Sequence, residues 1–198
     1  MLDWLKNINR EYPGFWKQYL QKFEHRSKRF VIISLENSGQ NPDKDVIFSI
    51  GAIAVTENSV SIGDEFEVII PQYKYLHDND ISNEFIIESK LEKQSEPEAI
   101  EAFIDYIGNA VLVGHRIHFD IDLINMALSK LQCGRLKNEA LDIEIMHRKL
   151  NDLPEKPFPL DELLRHYKVP GTARISAADD AYSNALLFLK LKSKLGIN

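Results

Sequence analysis

The stretch Phe30-Val31-Ile32-Ile33-Ser34-Leu35-Glu36-Asn37-Ser38-Gly39 decides how this chain is read. Its first residues form a short, β-branched, nearly unbroken apolar run, the pattern of a strand covered on both faces of a sheet. Two polar side chains interrupt the run at its end. Alternation along a strand puts Ser34 and Glu36 on one face. The ends of buried strands in open α/β sheets are also where ligands bind.

Downstream, VIFSIGAIAVT (46–56) and EFEVIIP (65–71) repeat the strand pattern, with polar loops holding Asn41-Pro42-Asp43 and Asn58 between them. Three strands with short connections predict an antiparallel meander. The period then changes. Residues 97–108 have helical spacing, with Pro97 suited to a first turn and Gly108 to an end. AVLVGH (110–115) reads as a further short strand and FDIDLINMALSKL (119–131) as a helix. ALDIE (140–144) reads as a last short strand, followed by helices at 147–151, 159–169 and 176–195. The expected fold is α/β: one mixed sheet flanked by helices.

Upstream, residues 2–25 read as helical with a break near Pro13. Trp16, Tyr19, Leu20 and Phe23 fall at three- and four-residue spacing and make an aromatic stripe. Such a stripe either packs on the domain that follows or docks a protein partner or a second copy of the chain. The expected organisation is an N-terminal helical extension over 1–27 and one domain over 28–198.

Composition bounds the function classes. The chain has 198 residues, 44% apolar and 27% charged, which suits one globular α/β domain. A formal net charge of -6 gives no global pull towards nucleic acid, so phosphate contact needs a local basic face or bound metal. Cys133 is the only cysteine, which excludes an internal disulfide and a cysteine-rich zinc site and fits a reducing cytoplasm. No run approaches the ~20 apolar residues that span a bilayer, and the N-terminus lacks the apolar core of a secretory signal.

Three places carry candidate chemistry: Ser34-Leu35-Glu36, the segment Gly114-His115-Arg116-Ile117-His118-Phe119-Asp120, and Asp179-Asp180 at the start of the last helix. Taken singly, Asp120 and Asp180 also suit helix starts, where unpaired N–H groups favour acids. Carboxylates from distant segments that gather at one point repel each other unless a cation lies between them, and hard ions such as Mg2+ or Mn2+ suit such a cradle.

These residues, in this order, resemble the DEDDh 3′-to-5′ exonucleases, the DnaQ-like group that includes the proofreading epsilon subunit of bacterial DNA polymerase III. The likeness covers roughly residues 29–192. Ser34 to Gly39 stands where the family has Asp-x-Glu-Thr-Thr-Gly, and Ile50-Gly51-Ala52 matches its Ile-Gly-Ala. Gly114 to Asp120 matches Gly-His-Asn-x-x-Phe-Asp with Arg116 in the asparagine position. Ile175 to Asp180 matches the closing His-x-x-x-x-Asp, and Asp142 also fits. The resemblance implies a ribonuclease-H-like fold.

It further implies that Glu36, Asp120 and Asp180 are retained catalytic and metal-binding acids. Asn37, Ser38, Gly39, His115 and Arg116 would contact substrate. The bridging aspartate is replaced by Ser34 and the general-base histidine by Ile175. A hydroxyl cannot bridge two dications as a carboxylate does, and isoleucine accepts no proton. Loss of a positioned base alone costs roughly 10²- to 10⁴-fold in rate. Arg116 adds a fixed cation, with a pairing to Glu36 or Asp180 or an outward, phosphate-facing position both open.

The expectation is a module that binds Mg2+ or Mn2+ weakly if at all. Its phosphodiester hydrolysis would be strongly attenuated, and its ligand would be a single-stranded nucleic-acid 3′ end or a nucleotide. The alternatives are an active exonuclease using Glu36, Asp120 and Asp180, and a scaffold or homodimer built on the N-terminal helix.

Overall fold

The computed structural model describes residues 11–72, 90–170 and 176–197. Ile175 and the 2–10 part of the expected N-terminal helix lie outside these residues. The strands are β1 (Phe30–Asn37), β2 (Ile47–Thr56), β3 (Ser59–Ile69), β4 (Val111–Gly114) and β5 (Ala140–Asp142). They form one sheet in the order β3-β2-β1-β4-β5. β1 pairs antiparallel with β2 and β2 with β3, while β4 runs parallel to both β1 and β5. The helices are α1 (Gly14–Gln21), α2 (Glu96–Ile107), α3 (Ile117–Lys130), α4 (Ile143–Asn151), α5 (Leu160–His166) and α6 (Ala177–Leu195).

Side-chain alternation along β1 divides the core in two. Val31, Ile33 and Leu35 join Phe103, Ile104, Ile117 and Leu128 on the face covered by α1, α2 and α3. Phe30 and Ile32 join Ile143, Leu163, Ala181, Ala185 and Phe188 on the face covered by α4, α5 and α6. Ser34 and Glu36 follow Phe30 and Ile32 in register, so they emerge on the α6 side.

Local signals explain several element ends. Ser95 and Glu98 form a reciprocal capping box that opens α2, with Pro97 in its first turn, and Gly108 ends it at φ 48°. Several elements begin earlier than their patterns predict, β3 at Ser59 among them. α4 starts at Ile143 because the Asp142 carboxylate accepts the Glu144 and Ile145 amides at 2.8 and 3.3 Å. α3 starts at Ile117, a buried residue that packs under Gly114.

The aromatic stripe belongs to this core. Trp16 and Tyr19 are each 1% exposed, and Leu20 and Phe23 pack beside them. The Tyr19 hydroxyl donates to Asn138 Oδ1 at 2.6 Å and accepts the Lys137 amide at 2.7 Å. The face that a docking helix would offer is buried within the chain. Among the described residues no helix is long and apolar enough to cross a membrane.

Candidate active site

Glu36 leaves the sheet near the end of β1 and pairs across the ladder with Ser49, whose buried hydroxyl donates to Glu36 Oε2 at 2.7 Å. Ser34 pairs with Gly51, and Gly51 pairs with Glu67 on β3. The first turn of α6 lies directly on Gly51: a Cβ there would meet the Ala177 carbonyl carbon at 2.2 Å and the Ala178 nitrogen at 2.3 Å. Only glycine permits that approach. It places Asp180 within electrostatic reach of Glu36. Desolvation raises the Glu36 pKa most, and repulsion from Asp180 and Glu67 adds to it, while the Ser49 hydrogen bond opposes it.

Asp120 stands in the first turn of α3 beside Asp142. Burial pushes its carboxyl well above the ordinary range, and Asp142 pushes the same way. Glu36 thus feels the charges of Asp180 and Glu67, and Asp120 that of Asp142. Neither Asp120 nor Asp180 is the capping side chain of its helix. Arg116 occupies the cap position of α3, and Ser176 Oγ accepts the Asp179 amide of α6 at 3.3 Å.

Arg116 adopts left-handed backbone, φ 57° and ψ 38°. It pairs through Nε with Glu144 Oε2 at 3.1 Å, rather than with Glu36 or Asp180. His115 Nε2 lies 2.8 Å from the Phe158 carbonyl and 3.7 Å from the same Glu144 oxygen. His118 is exposed. The expected substrate loop is tied to itself. Asn37 Oδ1 accepts the Gly39 amide, and Ser38 Oγ donates to Asp45 at 2.9 Å and accepts the Val46 amide at 3.1 Å. A Cβ on Gly39 would meet both Asp45 carboxylate oxygens at 2.8 Å, so that glycine lets the loop close on Asp45.

Sequence reasoning missed Asp45, Ser49, Glu67 and Glu144. Their types are ordinary for strand edges, loops and helix starts, and only the register brings them to the site.

The donor chemistry suits a hard divalent ion, since Glu36, Asp180, Glu67, Asp120 and Asp142 all offer carboxylate oxygens. Burial foremost, with neighbouring carboxylates adding to it, raises the Glu36 and Asp120 carboxyls, and a cation at either would relieve that repulsion. Yet among the described residues no three His, Cys, Asp or Glu side chains gather as a metal-binding group.

Comparison with known proteins follows the same lines. Residues 31–188 match the RNase_T family profile, described as Exonuclease. The DNA polymerase III PolC-type of Ureaplasma parvum serovar 3 is 31% identical over 146 residues, covering 71% of this chain and 10% of that protein. The PolC-type polymerase of Thermotoga petrophila is 24% identical over 183 residues, covering 90% and 13%. The chain thus spans about a tenth of the length of these relatives.

Among solved structures, exonuclease I in complex with the inhibitor BCBP superposes with a TM-score of 0.65 at 16% identity, covering 85% of this chain and 42% of that one. E. coli exonuclease I with a dT13 oligonucleotide gives 0.63 at 16% identity, covering 86% and 42%. These likenesses identify a ribonuclease-H-like fold. With the profile match spanning most of its length, the chain belongs to the exonuclease family, in its DnaQ-like branch.

Proposed function

We propose that this chain is an exonuclease-family module whose phosphodiester hydrolysis is strongly attenuated and which holds a single-stranded nucleic-acid 3′ end or a nucleotide. The observation that carries the reading is the row Ser34–Gly51–Glu67. Where the family resemblance calls for a bridging carboxylate, the strand offers a hydroxyl. A second departure, Ile175 in place of the family's histidine, removes the base.

Glu36, Asp180 and Asp120 are the residues that would hold a Mg2+ or Mn2+ ion. When bound, that ion supplies charge neutralisation for a phosphate. The chain's own residues then orient the ligand: Ser49 fixes Glu36, and Gly51 seats α6. Support for a nucleic-acid ligand comes from the structural likeness to exonuclease I, itself captured with dT13.

The test is release of mononucleotides from an end-labelled single strand in Mg2+ or Mn2+. The expected result is cleavage at least ~10²-fold below that of the double restoration Ser34→Asp with Ile175→His, with the unmodified protein still binding the strand. Brisk cleavage by the unmodified protein, abolished by Glu36→Ala, would instead establish an active exonuclease using Glu36, Asp120 and Asp180. A restored variant that neither cuts nor binds would refute the view that only the catalytic set has decayed.

A further inference from the structure

We infer that Glu67, on the edge strand β3, is a positioning residue that anchors the first turn of α6 and thereby sets Asp180 beside Glu36. The functional meaning of this anchor rests on the cation-binding reading above.

The argument begins with the helix start. The first amides of any helix lack partners within it and must find acceptors elsewhere. In α6, Ser176 Oγ accepts the Asp179 amide and the Ser176 carbonyl accepts the Asp180 amide. The Ala178 amide is taken by a residue more than a hundred positions away, Glu67, whose Oε1 accepts it at 3.3 Å. A carboxylate at that point also faces the positive end of the helix dipole, which adds to the attraction.

The sheet makes this reach possible. Glu67 is the direct partner of Gly51, so its side chain rises on the same face beside the site where Ala177 and Ala178 rest. Gly51 removes the steric barrier and Glu67 supplies the polar hold. The two residues form one seat, built from adjacent strands, for the turn that carries Asp180. The same position brings Glu67 near enough to Glu36 to raise its carboxyl pKa. The anchor is therefore part of the acidic neighbourhood as well as its support. Glu65 lies on the same face two residues earlier but pairs with Ile53 and is exposed.

Two substitutions separate anchoring from metal ligation. Glu67→Gln keeps an oxygen that accepts the Ala178 amide, whereas Glu67→Ala removes it. The first readout is amide hydrogen exchange in metal-free protein. Glu67→Ala is expected to speed exchange at Ala178 about fivefold, the effect of losing one net hydrogen bond. Glu67→Gln should stay within about twofold, and distant amides such as Phe188 should not change in either variant.

The second readout is Mn2+ binding by calorimetry, where loss of the Glu67 charge weakens affinity in both variants and loss of the hold should weaken it about threefold further in Glu67→Ala. Unchanged exchange at Ala178 in Glu67→Ala overturns the anchor. Loss of Mn2+ binding in Glu67→Gln equal to that in Glu67→Ala overturns it too, because a ligand and not a hold would then have been removed. If the unmodified protein takes up no Mn2+, the cation reading falls by itself, and the exchange measurement still decides the anchor.

Discussion

The backbone of Ala177 lies against Gly51 with no room for a side chain between them: a Cβ on Gly51 would come within 2.2 Å of the Ala177 carbonyl carbon. The neighbouring atoms are backbone, so nothing nearby can rotate away. Gly51→Ala must lift the start of α6 off β2, loosening Ala181 and Ala185, both fully buried. Overpacking of this kind costs about 3 kcal/mol. Urea denaturation should show that loss. A change under about 1 kcal/mol would mean that the helix can retreat without penalty, and the seat argument for Asp180 would fail with it.

The Arg116–Glu144 pair opposes a backbone preference. Arginine in left-handed conformation costs about 1 kcal/mol, whereas asparagine, the family's residue at this position, adopts it more readily. Against that gain stands Glu144, whose side chain is 10% exposed and would lose its 3.1 Å partner. The Arg116 side chain is 56% exposed, so the pair is worth less than a buried one. The two effects are of similar size and nearly cancel in Arg116→Asn alone. In a Glu144→Gln background only the backbone gain remains, and Arg116→Asn should stabilise by about 1 kcal/mol. A double-mutant cycle measures this directly. Zero coupling between the two sites would show that the pair contributes nothing in solution.

How much of this was legible beforehand differs by element. The run 30–33 announces a buried strand because apolar, mostly β-branched residues fill it without a break, and the structure places β1 at Phe30–Asn37 in the middle of the sheet. The Pro97 and Gly108 signals bracketed α2 because capping is local chemistry. Ile143-Glu144 reads as the tail of a strand because its alternation has a period of two. The Asp142 cap turns it into helix, and that depends on a single side chain. Glu67 and Glu144 were invisible for a different reason. Each is an unremarkable acid on a polar position, and its role exists only through cross-strand register or helix packing.

The raised Asp120 carboxyl costs the folded protein stability once pH passes the ordinary carboxylate range. Burial first, and Asp142 second, raise its carboxyl well above the ordinary value. An acid whose folded pKa exceeds its unfolded one binds more protons when folded across the interval between them. Stability then falls as pH rises from about 4, the unfolded value, through the folded value. Asp120→Asn removes the titration. The variant should be more stable than the parent at pH 7, and the difference should shrink steadily towards pH 4. Paired urea melts across that range check the sign. An advantage for the variant that grows on acidification would show that Asp120 is held ionised by a partner.

The Ser49 hydroxyl is the counterpart for Glu36, donating to its Oε2 at 2.7 Å from a position that is 1% exposed. A bond to a charged acceptor is worth about 1.5 kcal/mol, at the lower end here because Glu36 is only half-buried. Ser49→Ala should lose about that much at pH 7 and raise the Glu36 carboxyl further. In a Glu36→Gln background the same substitution should lose clearly less, since the acceptor is neutral. Equal losses in both backgrounds would assign Ser49 a packing role alone.

Tyr19 joins the N-terminal helix to the domain at a fully buried point. Its hydroxyl serves Asn138 Oδ1 and the Lys137 amide together, so Tyr19→Phe leaves one acceptor and one donor without a partner. The expected loss is about 2 kcal/mol, set by desolvation of those orphaned groups rather than by the ring, which stays. Burial also pushes the Tyr19 phenol from an ordinary 10.0 up to about 12.

A phenol raised on folding stabilises fully below its unfolded pKa, and that contribution is lost as pH rises towards 12. The parent should therefore weaken between pH 10 and 12, and Tyr19→Phe should show a shallower decline. Tyr106, whose phenol is raised as well, and the Cys133 thiol, pushed up to about 11 by burial, account for the slope that remains. Thermal melts of both proteins in that interval decide the matter. Parallel declines would mean that the Tyr19 hydroxyl is not buried in solution, and the helix carrying it would then stand away from the domain.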